Sequence, residues 1–152
     1  MASQDLGTVV RDMYEAWNAK DLDRCASYAH PDAQMTNMPF GAKLSFREYI
    51  ENWARAFPDG KIELKSVVAQ GNKAIAEFTG RGTHTGTLKG PTGDLPATQR
   101  PVELHCVESY SFRGDKLAEG RVYFGAFSLF TQLGIGAAAQ GSAATATPSS
   151  RP

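Results

Sequence analysis

The chain has 152 residues, room for one ordinary domain with its own core. Sixteen basic and sixteen acidic side chains cancel, so composition offers no basic footprint for nucleic acid. No run approaches the roughly 20 apolar residues that a membrane helix needs.

The start, Met1-Ala-Ser-Gln-Asp-Leu6, has neither the basic nor the apolar region of a signal peptide, which makes the cytoplasm the expected location. In that reducing setting Cys25 and Cys106, far apart and at no metal spacing, read as buried thiols.

Leu6, Val9, Val10, Met13, Tyr14 and Trp17 recur at helical spacing and predict a long amphipathic first helix that stops near Asn18–Asp21. Asp21 suits the cap of a short second helix with Leu22 and Cys25. His30-Pro31-Asp32 ends it, because the residue before proline resists helical dihedrals. Residues 33–44 read as a loop or short strand holding Met35, Met38 and Phe40. Ser45-Phe-Arg-Glu48 is a capping box opening a third helix through Tyr49, Ile50, Trp53 and Phe57, halted at Pro58-Asp-Gly60.

The period then changes to two. Strands are predicted over 61–69 and from 74 to about 85, with a turn at 70–73. A glycine-rich loop spans 87–101 and contains a turn at Pro91-Thr-Gly-Asp94. A hairpin follows, Val102–Phe112 and Leu117–Gly125, joined at Gly114-Asp115. A helical turn or two near Phe127, Phe130 and Leu133 closes the domain, expected to span 1–136. The Ala/Ser/Gly/Pro-rich stretch 137–152 cannot bury enough surface to offset its ordering entropy and is expected to be disordered.

In the hairpin, Leu104, Cys106, Glu108, Tyr110 and Phe112 share one face, and Glu108 is the only charge in that row. A turn centred on Gly114-Asp115 sets Phe112 opposite Leu117, Tyr110 opposite Glu119, Glu108 opposite Arg121 and Cys106 opposite Tyr123. The expectation is a carboxylate facing a guanidinium within an aromatic surface, an arrangement that perturbs both groups. A one-residue slip would break the pairing. His105 falls in the other row and faces outward.

The order of elements, with His30-Pro-Asp32, Gly82-Thr-His-Thr-Gly86, Pro96-Ala-Thr98 with Val102, and Thr131-Gln-Leu-Gly134, resembles the nuclear transport factor 2-like superfamily and its SnoaL-like polyketide cyclase branch. The resemblance implies an α+β fold: a cone-shaped barrel of a curved, mostly antiparallel sheet wrapped around three N-terminal helices. It also implies a homodimer, an apolar pocket, and aldol-type ring closure without metal or cofactor, with an aspartate on the last strand moving the proton. Counting back from Gln132-Leu-Gly134, that aspartate's position holds Gly125, which cannot transfer a proton.

The residues therefore point to acid/base chemistry on an apolar, carbonyl-bearing small molecule, by an aldol-type cyclase or an isomerase. Glu108 is expected to move the proton, Arg121 to position that carboxylate or stabilise negative charge, and His84 with Tyr123 to polarise the carbonyl. Trp17, His30, Met35, Phe40, Trp53 and Tyr110 are expected to line the cavity, Tyr14 to belong to the core, and no metal or cofactor to be needed. Two alternatives stand beside this reading. Glu108, Arg121 and Glu119 could activate water, as in epoxide hydrolases of this superfamily, or the fold could bind a hydrophobic small molecule without acting on it.

Overall fold

The structure is a computed structural model that describes residues 5–135. The stretch expected to be disordered, 137–152, lies outside the described residues.

Helix α1 (Leu6–Asn18) opens on Asp5, whose carboxylate accepts the Gly7 amide at 3.0 Å, and it buries the predicted stripe from Leu6 to Trp17. Helix α2 (Leu22–Ser27) starts on Asp21, which accepts the Arg24 amide at 3.1 Å. Helix α3 (Phe46–Ala56) begins with the capping box in full: Ser45 Oγ accepts the Glu48 amide, and Glu48 accepts the Ser45 amide, each at 3.1 Å.

Between α2 and α3 the chain is more strand-like than expected, forming β1 (Ala29–Asn37) and β2 (Ala42–Ser45). The predicted helix stop, His30-Pro31-Asp32, is already strand. Pro31 is tolerated because the ladder from β1 is interrupted between Ala29 and Gln34. Strands β3 (Lys61–Gln70) and β4 (Lys73–Thr83) follow. The glycine-rich loop forms a small hairpin of β5 (Leu88–Gly90) and β6 (Gly93–Leu95). The long hairpin is β7 (Pro101–Arg113) and β8 (Lys116–Phe124), and α4 (Ala126–Leu133) comes last.

The main sheet runs β2-β1-β8-β7-β4-β3, antiparallel except for the parallel β1–β8 pair. The expected α+β architecture is present, although β2 and β3 remain edges and the sheet does not close. Helix α1 packs against β3 and β4, while α3 packs against β1 and β2. The helices thus span the inner face from one edge to the other. The core lies between them, a single cluster that includes Val9, Val10 and Met13 from α1 and Ala76, Phe78, Leu104 and Val122 from the sheet. Among the described residues, no helix is long and apolar enough to cross a membrane.

One register detail decides which side chains look inward. Phe112 pairs with Leu117 as expected, but Ser111 pairs with Glu119, so Ala118 is an extra residue on β8. Beyond this bulge every partner is displaced by one: Glu108 stands opposite Val122, Ser109 opposite Arg121, and Cys106 opposite Phe124. The expected Glu108–Arg121 pair does not form. Arg121 is on the outer face, and so is Tyr123, which is 42% exposed.

Candidate active site

Between the helices and the inner face of the sheet lies a cavity walled mainly by apolar and aromatic side chains. Trp17, Trp53, Phe57, Phe78 and Phe124 are among them. Glu108 is the only carboxylate among its lining residues, and it is 4% exposed. Its place follows from the alternation of β7, which turns Leu104, Cys106, Glu108, Tyr110 and Phe112 toward the core.

Three phenols take the place of the expected guanidinium. Tyr14 from α1 donates to Glu108 Oε1 at 2.6 Å, and Tyr110, two residues along β7, donates to the same oxygen. Tyr49 from α3 donates to Oε2. The hydroxyls of Tyr14 and Tyr110 are 3.2 Å apart. The two helices and the central strand therefore converge on one carboxyl group. Tyr14 is further held by an edge-on contact with Phe78, and Tyr110 by one with Phe112.

Burial pushes the Glu108 carboxyl above its ordinary value, and the hydrogen bonds from Tyr110, Tyr14 and Tyr49 pull it back. Lys61 and Arg81, the cations among the lining residues, are engaged elsewhere. Lys61 Nζ donates to the Asn18 carbonyl at 2.7 Å, and Arg81 pairs with Glu63 at 2.8 Å and Glu103 at 3.0 Å. The three phenols are raised well above the ordinary tyrosine value, first by burial and then by the Glu108 charge, so they act as neutral donors. Two thiols also line the cavity. Burial pushes Cys25 up to about 12, and Cys106 is raised in the same way.

Of the residues named from the sequence, Glu108, Tyr110, Trp17 and Trp53 line this cavity. The others do not. His30 Nε2 sits 3.0 Å from the Arg113 carbonyl at the hairpin turn. Met35 is fully buried on the sheet's inner face, its sulfur beside Gly120, but it packs into the core outside the cavity lining. Phe40 stacks on Phe130 and meets Phe124 edge-on, bracing the wall from behind.

His84 is fully buried outside the cavity lining, with its ring 5.4 Å from that of Phe57. Its Nδ1 accepts the Thr98 amide at 3.2 Å and lies 3.0 Å from Thr98 Oγ1, while burial lowers its pKa. It ties the start of the β5–β6 loop to its end. Among the described residues, no group of three His, Cys, Asp or Glu side chains stands close enough to hold a metal ion.

Tyr14 and Tyr49 were not expected in the site. A signal for them exists: each lies on the buried stripe of its helix, next to Trp17 and to Phe46 with Trp53, and carries a polar tip that needs a partner when buried. The single inward charge of β7 was the available partner.

The fold has solved counterparts. AclR from Streptomyces galilaeus is 26% identical, with 85% of this chain and 80% of that one covered at a TM-score of 0.70. IdmH from Streptomyces antibioticus is 22% identical over 87% of this chain and all of that one, at a TM-score of 0.67. A protein from Catenulispora acidiphila with a ketosteroid isomerase-like fold, in complex with trimethylamine, is 16% identical over 86% and 95% of the two chains, at a TM-score of 0.67. No curated protein matches the chain. A family model does, from residue 7 to residue 133, a span that holds Tyr14, Tyr49, Glu108 and Tyr110. The chain belongs to the SnoaL-like polyketide cyclase family.

Proposed function

We propose that the protein is a cofactor-independent acid/base enzyme for an apolar, carbonyl-bearing small molecule, closing a ring by aldol-type condensation or shifting a double bond. The observation that carries this reading is Glu108: a buried carboxyl at the wall of an apolar cavity, gripped by three phenols and, among the described residues, without a salt-bridge partner. Removal of a proton next to a carbonyl needs a base of suitable pKa and donors for the enolate oxygen. Burial raises the carboxyl toward working pH, and the phenols are the donors at hand. Trp17, Trp53 and Phe57 supply flat walls for a conjugated substrate. The machinery lies on β7, α1 and α3, whereas Gly125 is exposed just past the last strand, at the start of α4.

The test is exchange of α-hydrogens for deuterium in aryl ketones such as 2-tetralone, followed by NMR in D2O. The wild-type protein is expected to accelerate exchange, and E108Q to lower that acceleration by about a hundredfold. A folded E108Q variant with wild-type exchange, or a wild-type protein without any, overturns the reading.

Water activation of the epoxide-hydrolase kind finds no support in the geometry. Arg121 is on the outer face, and Glu119 is exposed opposite Ser111. Binding without catalysis remains the second reading, favoured by Gly125 at the position of the family's acid. A ligand that co-purifies and is recovered unchanged after long incubation would carry it.

We also propose a homodimer formed through the outer face of the sheet. Val68 and Ile75 pair across β3 and β4 there, 68% and 50% exposed, and Tyr123 lies on the same face.

A further inference from the structure

The two oxygens of Glu108 are not equivalent. Oε1 accepts from Tyr14 and Tyr110, which together occupy both of its lone pairs. Their own oxygens stand 3.2 Å apart, so no substrate atom fits between them. Oε2 accepts from Tyr49 alone and keeps one lone pair open. Both Tyr49 and Glu108 line the cavity.

The hydrogens can be counted. With Glu108 ionised, three phenolic hydrogens serve the carboxylate, and none remains for a ligand. With Glu108 protonated there are four, and the additional one must lie on Oε2, because Oε1 is saturated. A protonated Oε2 donates where it previously accepted. The Tyr49 oxygen can take that hydrogen, and its own O–H is then free to turn to the bound molecule.

We infer that Tyr49 is a catalytic residue, the hydroxyl through which Glu108 exchanges its proton with the substrate oxygen, while Tyr14 and Tyr110 position the carboxyl. This rests on the reading of Glu108 as the pocket's acid/base. In the first step the open lone pair of Oε2 takes the proton from the carbon next to the carbonyl, the C–H electrons become the enolate, the new Oε2–H rotates to the Tyr49 oxygen, and the Tyr49 hydroxyl so freed turns to the enolate oxygen. In the second, the enolate carbon bonds to another carbonyl carbon of the same molecule, whose π electrons move onto oxygen. That alkoxide takes the Tyr49 proton as Tyr49 takes the one on Oε2. Glu108 is again a carboxylate, and no electrons or groups are left over. The base thus creates its own oxyanion donor when it picks up the proton.

The experiment compares E108Q, Y14F, Y49F and Y110F in the full chain, with circular dichroism and thermal melts to establish folding. The readouts are the pH profile of 2-tetralone deuterium exchange and the affinity for 2-naphthol, which has the shape of the tetralone enol. Y49F is expected to lower the limiting rate at high pH by about a hundredfold, the loss typical of one oxyanion donor, and to weaken 2-naphthol at least tenfold.

Y14F and Y110F are expected to move the acid limb of the profile to higher pH, since each removes a donor from the carboxylate. Their limiting rates should fall less than that of Y49F, and their 2-naphthol affinities should change less than threefold. Equal limiting rates and affinities for the three Phe variants would overturn the role of Tyr49. If E108Q still abolishes exchange, the assignment of Glu108 stands; exchange retained in E108Q overturns that assignment instead. Should Y49F fail to fold, 3-fluorotyrosine at 49 keeps the shape and makes the hydroxyl more acidic, and an unaltered rate would equally overturn the proposal.

Discussion

Gly120 stands directly opposite Tyr110 on the β7–β8 ladder, and its missing side chain is what makes room for the tyrosine ring. A Cβ at 120 would lie 2.5 Å from Met35 Sδ, 2.9 Å from Tyr110 Cδ1 and 3.2 Å from the Ser109 carbonyl. Met35 and Tyr110 are both fully enclosed and cannot swing away. Gly120→Ala is therefore expected to destabilise the protein by about 1–3 kcal/mol, the usual cost of overpacking a filled core. It should also lower ketone exchange by moving Tyr110 off Glu108. Chemical denaturation and exchange rates check both, and a variant as stable and active as wild type would contradict the packing described.

Arg121 offers the reverse case. It faces away from the cavity, opposite Ser109 and Thr36. Arg121→Ala is expected to leave exchange within about threefold of wild type and stability within about 0.5 kcal/mol, as for ordinary surface changes. A hundredfold loss of exchange would mean that the strand register is not the one described.

These two positions show how far the sequence could be read. The helices, their caps and the face of β7 that carries Glu108 follow from periodicity and from local side-chain hydrogen bonds, and both are encoded within a few residues. The error lay in a single residue, Ala118. A bulge two residues from the turn leaves no mark on the alternation of a short strand, yet it reverses the facing of all that follows. The partners of Glu108 were hidden for another reason. Tyr14 is 94 positions away and Tyr49 is 59 positions away, so only the assembled fold brings them to the carboxyl. His30 and His84 were expected in the cavity from the resembling strings, and Met35 and Phe40 from their size, whereas His30 sits against the hairpin turn and the other three pack outside the cavity lining.

The raised pKa of Glu108 fixes the sign of its contribution to stability against pH. The folded protein holds the Glu108 proton above the ordinary carboxyl value of 4.5, where the unfolded chain has already lost it. The favourable contribution is thus complete below that value and is lost as pH rises through the folded one. Compared with E108Q at successive pH values, the wild-type protein should lose ground as pH increases across this window. A constant difference from pH 4 to 8 would mean that burial does not raise the group.

His84 has the opposite sign. Burial lowers its pKa from the ordinary 6.5, and its Nδ1, which accepts the Thr98 amide, is in place for neutral imidazole. The stability it supplies is present above that value and is lost as pH falls through the folded one. His84→Asn, which can offer an oxygen to the same amide, is expected to flatten the decline between pH 7 and pH 5. The protection of the Thr98 amide against hydrogen exchange, relative to its intrinsic rate at each pH, should fall in the same range for wild type only.

The outer face of the sheet gives a simple assembly test. Val68→Asp with Ile75→Lys places charges on exposed positions and leaves the cavity untouched. Sedimentation is expected to show a dimer for wild type and a monomer for the double variant. A monomeric wild-type protein at micromolar concentration would remove the proposal.

The two thiols in the cavity wall carry a last consequence. Conjugated carbonyl compounds are also electrophiles, and a pocket that receives them risks being alkylated by its own guests. Cys25 and Cys106 are held protonated by burial, with the Glu108 charge adding to the effect. A thiol is far less nucleophilic than a thiolate. The same dry surroundings that raise the carboxyl thereby keep both sulfurs protonated and inert, a property that the proposed carbonyl chemistry would need.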